Sequence, residues 1–130
     1  MLSHVFIGVT DFDRANNFYA ALFQALGLPQ RIYDPVNPWA GWDGEGGARP
    51  LFVIGHPFDG HTHQAGNGQM IAFAAYTRAL VHGVYAFALA EGGVCEGPPR
   101  LRPQYHANYY GAYFRDPDGN KLCVVCHSAA

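Results

Sequence analysis

Charge is scarce in this sequence. Only 14% of its 130 residues are Asp, Glu, Lys or Arg, against roughly 25% in an average domain. Eight basic residues face ten acidic ones, for a formal charge of −2. Such a chain has no broad basic field, which excludes a nucleic-acid backbone or an anionic membrane as its partner. No apolar run approaches the roughly 18 residues of a membrane span, and the start Met1-Leu2-Ser3-His4-Val5 lacks the layout of an export signal, so the expected location is the cytoplasm. Cysteine is also sparse. Cys95, Cys123 and Cys126 are too few, and odd in number, for a disulfide framework, and fit a reducing compartment as free thiols.

What the chain does have is apolar and aromatic material, 49% and 15% of its residues. Disorder, fibre and tail are thereby excluded, and one domain over residues 1–130 is long enough to bury a full core. His4 to Val9 is a β-rich run ending at Thr10-Asp11, with Asp11 as helix N-cap. Ala15, Phe18, Tyr19, Leu22, Phe23 and Leu26 then form a stripe at helical spacing, and Gly27 and Pro29 stop it. Gln30 to Tyr33, Trp39 to Trp42 and Leu51 to Ile54 read as strands, and Gly55 to Gly68 as a connector. The pattern then restarts. Gln69 to Ala75 reads as a strand, Thr77 caps a helix, and Val81, Val84, Tyr85, Ala88 and Leu89 repeat the stripe. One offset of 66 residues carries His4 onto Met70 and the first five residues of the first stripe onto the second. Val94 to Glu96 reads as a short strand, Gly97 to Asn108 as a Pro-rich loop, and Tyr109 to Arg115 with Asn120 to His127 as a hairpin. Its turn, Asp116-Pro117-Asp118-Gly119, has type I composition and is assigned no chemistry.

The expected fold is therefore α+β: two βαβββ modules, about residues 2–57 and 68–128, whose sheets curve around a cleft, each with a helix on its outer face. Strand alternation turns Val5, Ile7 and Val9 toward the helix and His4, Phe6 and Gly8 into the cleft, with Met70, Ala72 and Ala74 as their counterparts.

The segment from His4-Val5-Phe6-Ile7-Gly8-Val9-Thr10-Asp11 through Phe18-Tyr19 to Leu26-Gly27-Leu28, together with Phe114-Arg115-Asp116-Pro117-Asp118-Gly119-Asn120-Lys121-Leu122, resembles the vicinal oxygen chelate superfamily of glyoxalase I, bleomycin- and fosfomycin-resistance proteins and extradiol dioxygenases. The resemblance implies paired βαβββ modules, usually a homodimer, and a divalent metal held by inward residues of the first and last strand of each module. His4 matches the first such position. Ile54 falls near the second, Met70 near the third, and Cys123 stands where Lys-Leu-Cys replaces the familiar Lys-Ile-Glu. Ile cannot coordinate and a thioether is a poor ligand for Mg, Mn, Ni or Fe(II), so no cofactor is expected. No carboxylate lies inside a predicted inward strand either, which removes the base for proton abstraction beside a carbonyl.

Two readings of function follow. The first is binding of a small apolar or aromatic molecule in the inter-module cleft, with Phe6, Phe52, Met70, Arg100, Arg102, Tyr105, Tyr110 and Tyr113 as contacts. Trp39 and Trp42 add aromatic surface, and Arg100 or Arg102 would clamp an anionic group. His106 is the general-base candidate if catalysis occurs. The second is a metal-dependent lyase or isomerase like lactoylglutathione lyase, or a dioxygenase, with Zn, Fe or Ni on a rearranged site of His4, Cys123 and His56 or His127. His56, His61 and His63 read as a solvated histidine cluster on the connector. Cys123-Val124-Val125-Cys126-His127 matches haem attachment only on paper, because residues three apart on a strand point to opposite faces.

Overall fold

A computed structural model describes residues 1–130. The chain runs β1 (His4–Gly8), α1 (Phe12–Leu26), β2 (Gln30–Asp34), β3 (Trp39–Trp42), a short 3-10 turn (Glu45–Gly47), β4 (Leu51–Gly55), β5 (Ile71–Ala74), α2 (Arg78–Ala90), β6 (Val94–Leu101), β7 (Tyr110–Arg115) and β8 (Lys121–Cys126). It builds two four-stranded sheets in the orders β1-β4-β3-β2 and β5-β8-β7-β6. In each, the first and last strands of the module are parallel and the other pairs antiparallel. No helix is long and apolar enough to cross a membrane.

The helices form where stripe and caps place them. Asp11 accepts from the Arg14 N–H, and Gly27 closes α1 in the left-handed region at φ 73°, where a Cβ would be strained. Thr77, 66 residues after Asp11, caps α2 through the Leu80 N–H. The stripes are buried in register: Ala15 and Val81, Phe18 and Val84, Leu22 and Ala88 are all at 0% exposure. One apolar cluster joins both modules, from Val9 and Phe18 through Phe52 to Phe114 and Val124.

Polar contacts tie each module's turn to the other module. The β7–β8 turn reaches the end of β1, where the Thr10 N–H donates to Asp118 Oδ1 (2.9 Å) and Asn120 Nδ2 to the Gly8 carbonyl (3.1 Å). Reciprocally, Glu45 in the β3–β4 connection accepts from the hydroxyl of Tyr76, which lies 66 residues after Thr10. Below the first turn Asp116 is 2% exposed and accepts from the buried Tyr19 hydroxyl at 2.5 Å. The turn thus locks the modules together, a role its composition does not announce.

Two expectations need correction. The segment after Glu96 is strand as far as Leu101, not loop, despite Pro98 and Pro99. β6 is the edge of its sheet, where a missing N–H costs no ladder bond if it faces outward, and its pairing with β7 shifts register twice across this stretch. The second concerns β4. Pairing sets Phe52 opposite Val5 and Ile54 opposite Ile7, so both lie on the helix face, and the positions facing the other way are Leu51, Val53 and Gly55.

Candidate ligand-binding site

The helix-free face of the second sheet carries the chemistry. Cross-strand pairing sets Ala72 beside Cys123 and Cys123 beside Tyr113, and Arg115 beside Lys121. The connector and the loop after β6 border this face and leave an open cavity of about 690 Å³, lined by Gly66 to Met70, Glu96, Arg102, Tyr105, Tyr109, Tyr113, Arg115 and Lys121. The Tyr109 hydroxyl lies 3.0 Å from that of Tyr113 and 3.6 Å from Cys123 Sγ. Arg102 stacks its guanidinium over the Tyr113 ring, 4.7 Å from the centroid. Glu96 pairs with Arg115 at 2.6 Å.

Protonation follows from these contacts. Burial raises the Tyr109 and Tyr113 phenols and the Cys123 thiol above their ordinary values, so all three stay protonated at neutral pH. The hydrogen bond from Arg115 lowers Glu96, which is already committed as a carboxylate. The cavity therefore offers hydroxyl donors, aromatic faces and cations, and no free base. Cys123 is buried and Cys95 exposed. Iodoacetamide at pH 8 is accordingly expected to alkylate Cys95 at least about tenfold faster than Cys123 and Cys126, with the difference lost in denaturant. Peptide mass mapping reads this directly, and comparable rates for Cys123 would overturn the assigned burial.

Of the residues expected to bind ligand, Met70, Arg102, Tyr105 and Tyr113 line this cavity, whereas Phe6, Phe52, Arg100 and Tyr110 do not. Phe6 lies on the helix-free face of the first sheet, its ring beside Gly55. Phe52 packs in the core among Tyr19, Phe23 and Phe73, with centroids 5.0 to 5.3 Å away. It also borders a separate, mainly apolar groove of about 540 Å³ between the modules. Trp42 stacks on Phe23 in the same core at 5.0 Å. Tyr110 turns toward α2, donating to or accepting from His82 Nε2 at 2.6 Å beneath Arg78. Arg100 is exposed on the edge strand.

His106, the expected base, is exposed and points elsewhere. Its Nδ1 accepts from the Asn108 N–H at 3.1 Å, so Nε2 carries the proton and donates to His127 Nδ1 at 2.8 Å. Both imidazoles pack edge-on against Tyr109, at 5.7 and 5.6 Å, and so brace the cavity wall rather than enter it. His63 departs from the solvated reading of the connector. Its Nε2 donates to Asn120 Oδ1 at 2.9 Å and its ring covers Gly8, where an added Cβ would lie 2.5 Å from Nδ1. The glycine at position 8 is the one local signal that something packs against β1.

The metal positions implied by the resemblance do not fit a divalent ion. His4 is exposed and bonds Ser3 through Nδ1 at 2.9 Å, the inward residues of β4 carry no donor, Met70 offers a thioether, and Cys123 is a buried thiol with its pKa raised by burial. His56 lies beyond β4 in the phase of Phe52 and Ile54, and His127 is engaged by His106. No three His, Cys, Asp or Glu side chains converge on one point.

Two βαβββ modules, each a four-stranded sheet with one helix, define a class of small α+β proteins of repeated architecture. The chain belongs to the Glyoxalase/Bleomycin resistance protein/Dioxygenase superfamily, whose model matches residues 1–124. It is similar to a glyoxalase/bleomycin resistance protein from Albidiferax ferrireducens T118, with 35% identity, 97% and 98% of the two chains covered and a TM-score of 0.86. The fold is shared with a family enzyme from Burkholderia phytofirmans PsJN (20% identity, 97% and 98% covered, TM-score 0.74). It is shared too with a fosfomycin resistance protein from Listeria monocytogenes (18% identity, 97% and 92% covered, TM-score 0.69). No curated protein matches the sequence.

Proposed function

We propose that this protein binds a small planar, largely aromatic molecule in the cavity of the second module and does so without the divalent metal common in its family. The observation that carries the reading is the cavity itself: about 690 Å³, with Tyr105, Tyr109 and Tyr113 as aromatic walls, a size and lining suited to one or two fused rings. The donor chemistry at His4, Met70 and Cys123 supports the metal-free part. Sequestration is favoured over turnover because the Tyr109 and Tyr113 phenols are held protonated and Glu96, the one carboxylate of the cavity, is ion-paired, which leaves no free carboxylate base. A cytoplasmic homodimer, the usual family assembly, is the form proposed.

Uncharged 2-naphthol, titrated into 15N-labelled protein, tests the site. Amide shifts are expected to concentrate in residues 66–70 and 96–123, Tyr113→Ala to weaken binding by about tenfold, and EDTA dialysis to leave affinity unchanged. Shifts centred on Phe23 and Phe73 in the apolar groove would overturn the site. One tightly bound Fe, Zn or Ni per chain, or affinity lost with EDTA, would overturn the metal-free reading.

A further inference from the structure

The cavity holds more positive charge than the chain neutralises. Arg102 is 6% exposed. Its Nε donates to the Gly111 carbonyl at 3.3 Å and its Nη2 to the Pro98 carbonyl at 2.9 Å, which fixes the head group and leaves three of its five N–H groups without a partner. No carboxylate pairs with it: the ion pairs of the molecule are Arg14–Asp118, Arg31–Asp43, His61–Asp59 and Arg115–Glu96. Glu96, the single carboxylate of the cavity, is thus taken by Arg115, which also donates to the Gly119 carbonyl at 2.8 Å. Lys121 places its ammonium 5.8 Å from the Tyr113 centroid and makes no hydrogen bond or ion pair. Arg102 thus has no carboxylate partner, Lys121 has only the more distant Glu96 that Arg115 already holds, and both cations lie beside one tyrosine ring.

A guanidinium this deeply buried is costly to hold unless an opposite charge joins it. The backbone is shaped to hold it there all the same. A Cβ at Gly97 would stand 3.0 Å from Arg102 Nη2, so a residue without a side chain lies where the head group packs. The local field is positive as well, since Arg102 and Lys121 both pull the Cys123 thiol downward against the effect of burial.

We propose that the molecule bound in this cavity carries an anionic oxygen group, a carboxylate or a phosphate, seated between Arg102 and Lys121 with its ring against the tyrosines. This rests on the small-molecule reading above and adds the charge of the ligand and the residues that select it. Of the two arginines that the sequence offers as clamps, the buried Arg102 takes the role, and Lys121 joins it from β8.

The test compares 2-naphthoate, its neutral isostere 2-naphthamide and 2-naphthyl phosphate by calorimetric titration at low and high salt. 2-Naphthoate is expected to bind at least about tenfold tighter than 2-naphthamide, as one charge-assisted hydrogen bond provides, with the advantage shrinking in salt. Lys121→Gln is expected to weaken 2-naphthoate about three- to tenfold and leave 2-naphthamide within about twofold. Arg102→Lys, which keeps charge but loses the fork, should weaken both anions, and Arg102→Gln more so if its melting curve shows it folded. Tighter binding of the phosphate than of the carboxylate assigns the site to phosphate, and the reverse to carboxylate. Equal affinity for 2-naphthoate and 2-naphthamide, or a Lys121→Gln effect common to both, overturns the anionic group and leaves the cavity reading standing. Failure of all three probes to bind at millimolar concentration overturns the cavity reading and this inference with it.

Discussion

Asp116→Ala is expected to lower the unfolding free energy by about 3–4 kcal/mol, the loss associated with breaking a buried hydrogen-bonded network around a charged group. The carboxylate accepts four hydrogen bonds: from the Tyr19 hydroxyl at 2.5 Å, from the Asp118 and Asn120 N–H groups at 2.9 Å each, and from Asn120 Nδ2 at 2.8 Å. Truncation leaves the Tyr19 hydroxyl, on a side chain at 0% exposure, with no acceptor in a site that water does not reach. It also frees Asn120, whose amide holds both the Gly8 carbonyl and His63. The β7–β8 turn would therefore loosen from β1 and the connector from the cleft. Tyr19→Phe removes one donor and is expected to cost about 1–2 kcal/mol. Urea denaturation measures both, and a loss below about 1 kcal/mol for Asp116→Ala would refute the role of this carboxylate as the link between modules.

Phe52→Ala is the second large effect, about 3–5 kcal/mol, or a fall in melting temperature on the order of 10 °C or more. The ring touches Tyr19, Phe23 and Phe73, from both modules, so no single element can relax into the space it leaves. The variant also separates a packing role from a ligand role. With Phe52 on the helix face, affinity for 2-naphthol is expected to stay within about twofold of the parent when measured well below the melting temperature. A variant of normal stability with lost 2-naphthol affinity would mean that Phe52 faces the ligand after all.

The contrast between β1 and β4 shows how far the residues alone could be read. β1 has one half-buried face packed on the core and one more open face, and Asp11 anchors its phase by capping the following helix, so Val5 and Ile7 against His4 and Phe6 can be sorted from alternation. β4 is Leu-Phe-Val-Ile-Gly and buried along its whole length. An apolar run on both faces has no period to read, so the residues alone leave Phe52 and Ile54 free to face the cleft, and only the pairing with β1 turns them to the helix. Similarly, Pro98 and Pro99 point to a loop unless the strand is known to be an edge. A tyrosine-rich, proline-stiffened segment is unusual, and it points to Tyr105 and Tyr113, which line the cavity, but Tyr110 in the same segment turns to α2 by strand alternation.

The long-range polar groups were the least legible. Nothing in Asp-Pro-Asp-Gly distinguishes a solvated turn from one buried against a tyrosine 97 residues away, and nothing in the connector marks His63 as the histidine that settles on Gly8. His106 was singled out for its residue type, whereas its lone pair goes to the Asn108 amide two residues on.

Duplication, helix caps and the helix-facing stripes were determined by the sequence itself, because they depend on spacing along the chain, and periodic burial is a local property. The strand-to-strand register, the partner of each buried charge and the set of side chains that meet in the cavity were decided by the tertiary structure alone. A charge buried among distant strands takes its energy from whatever the fold brings within a few ångströms, and that proximity is written in no single segment.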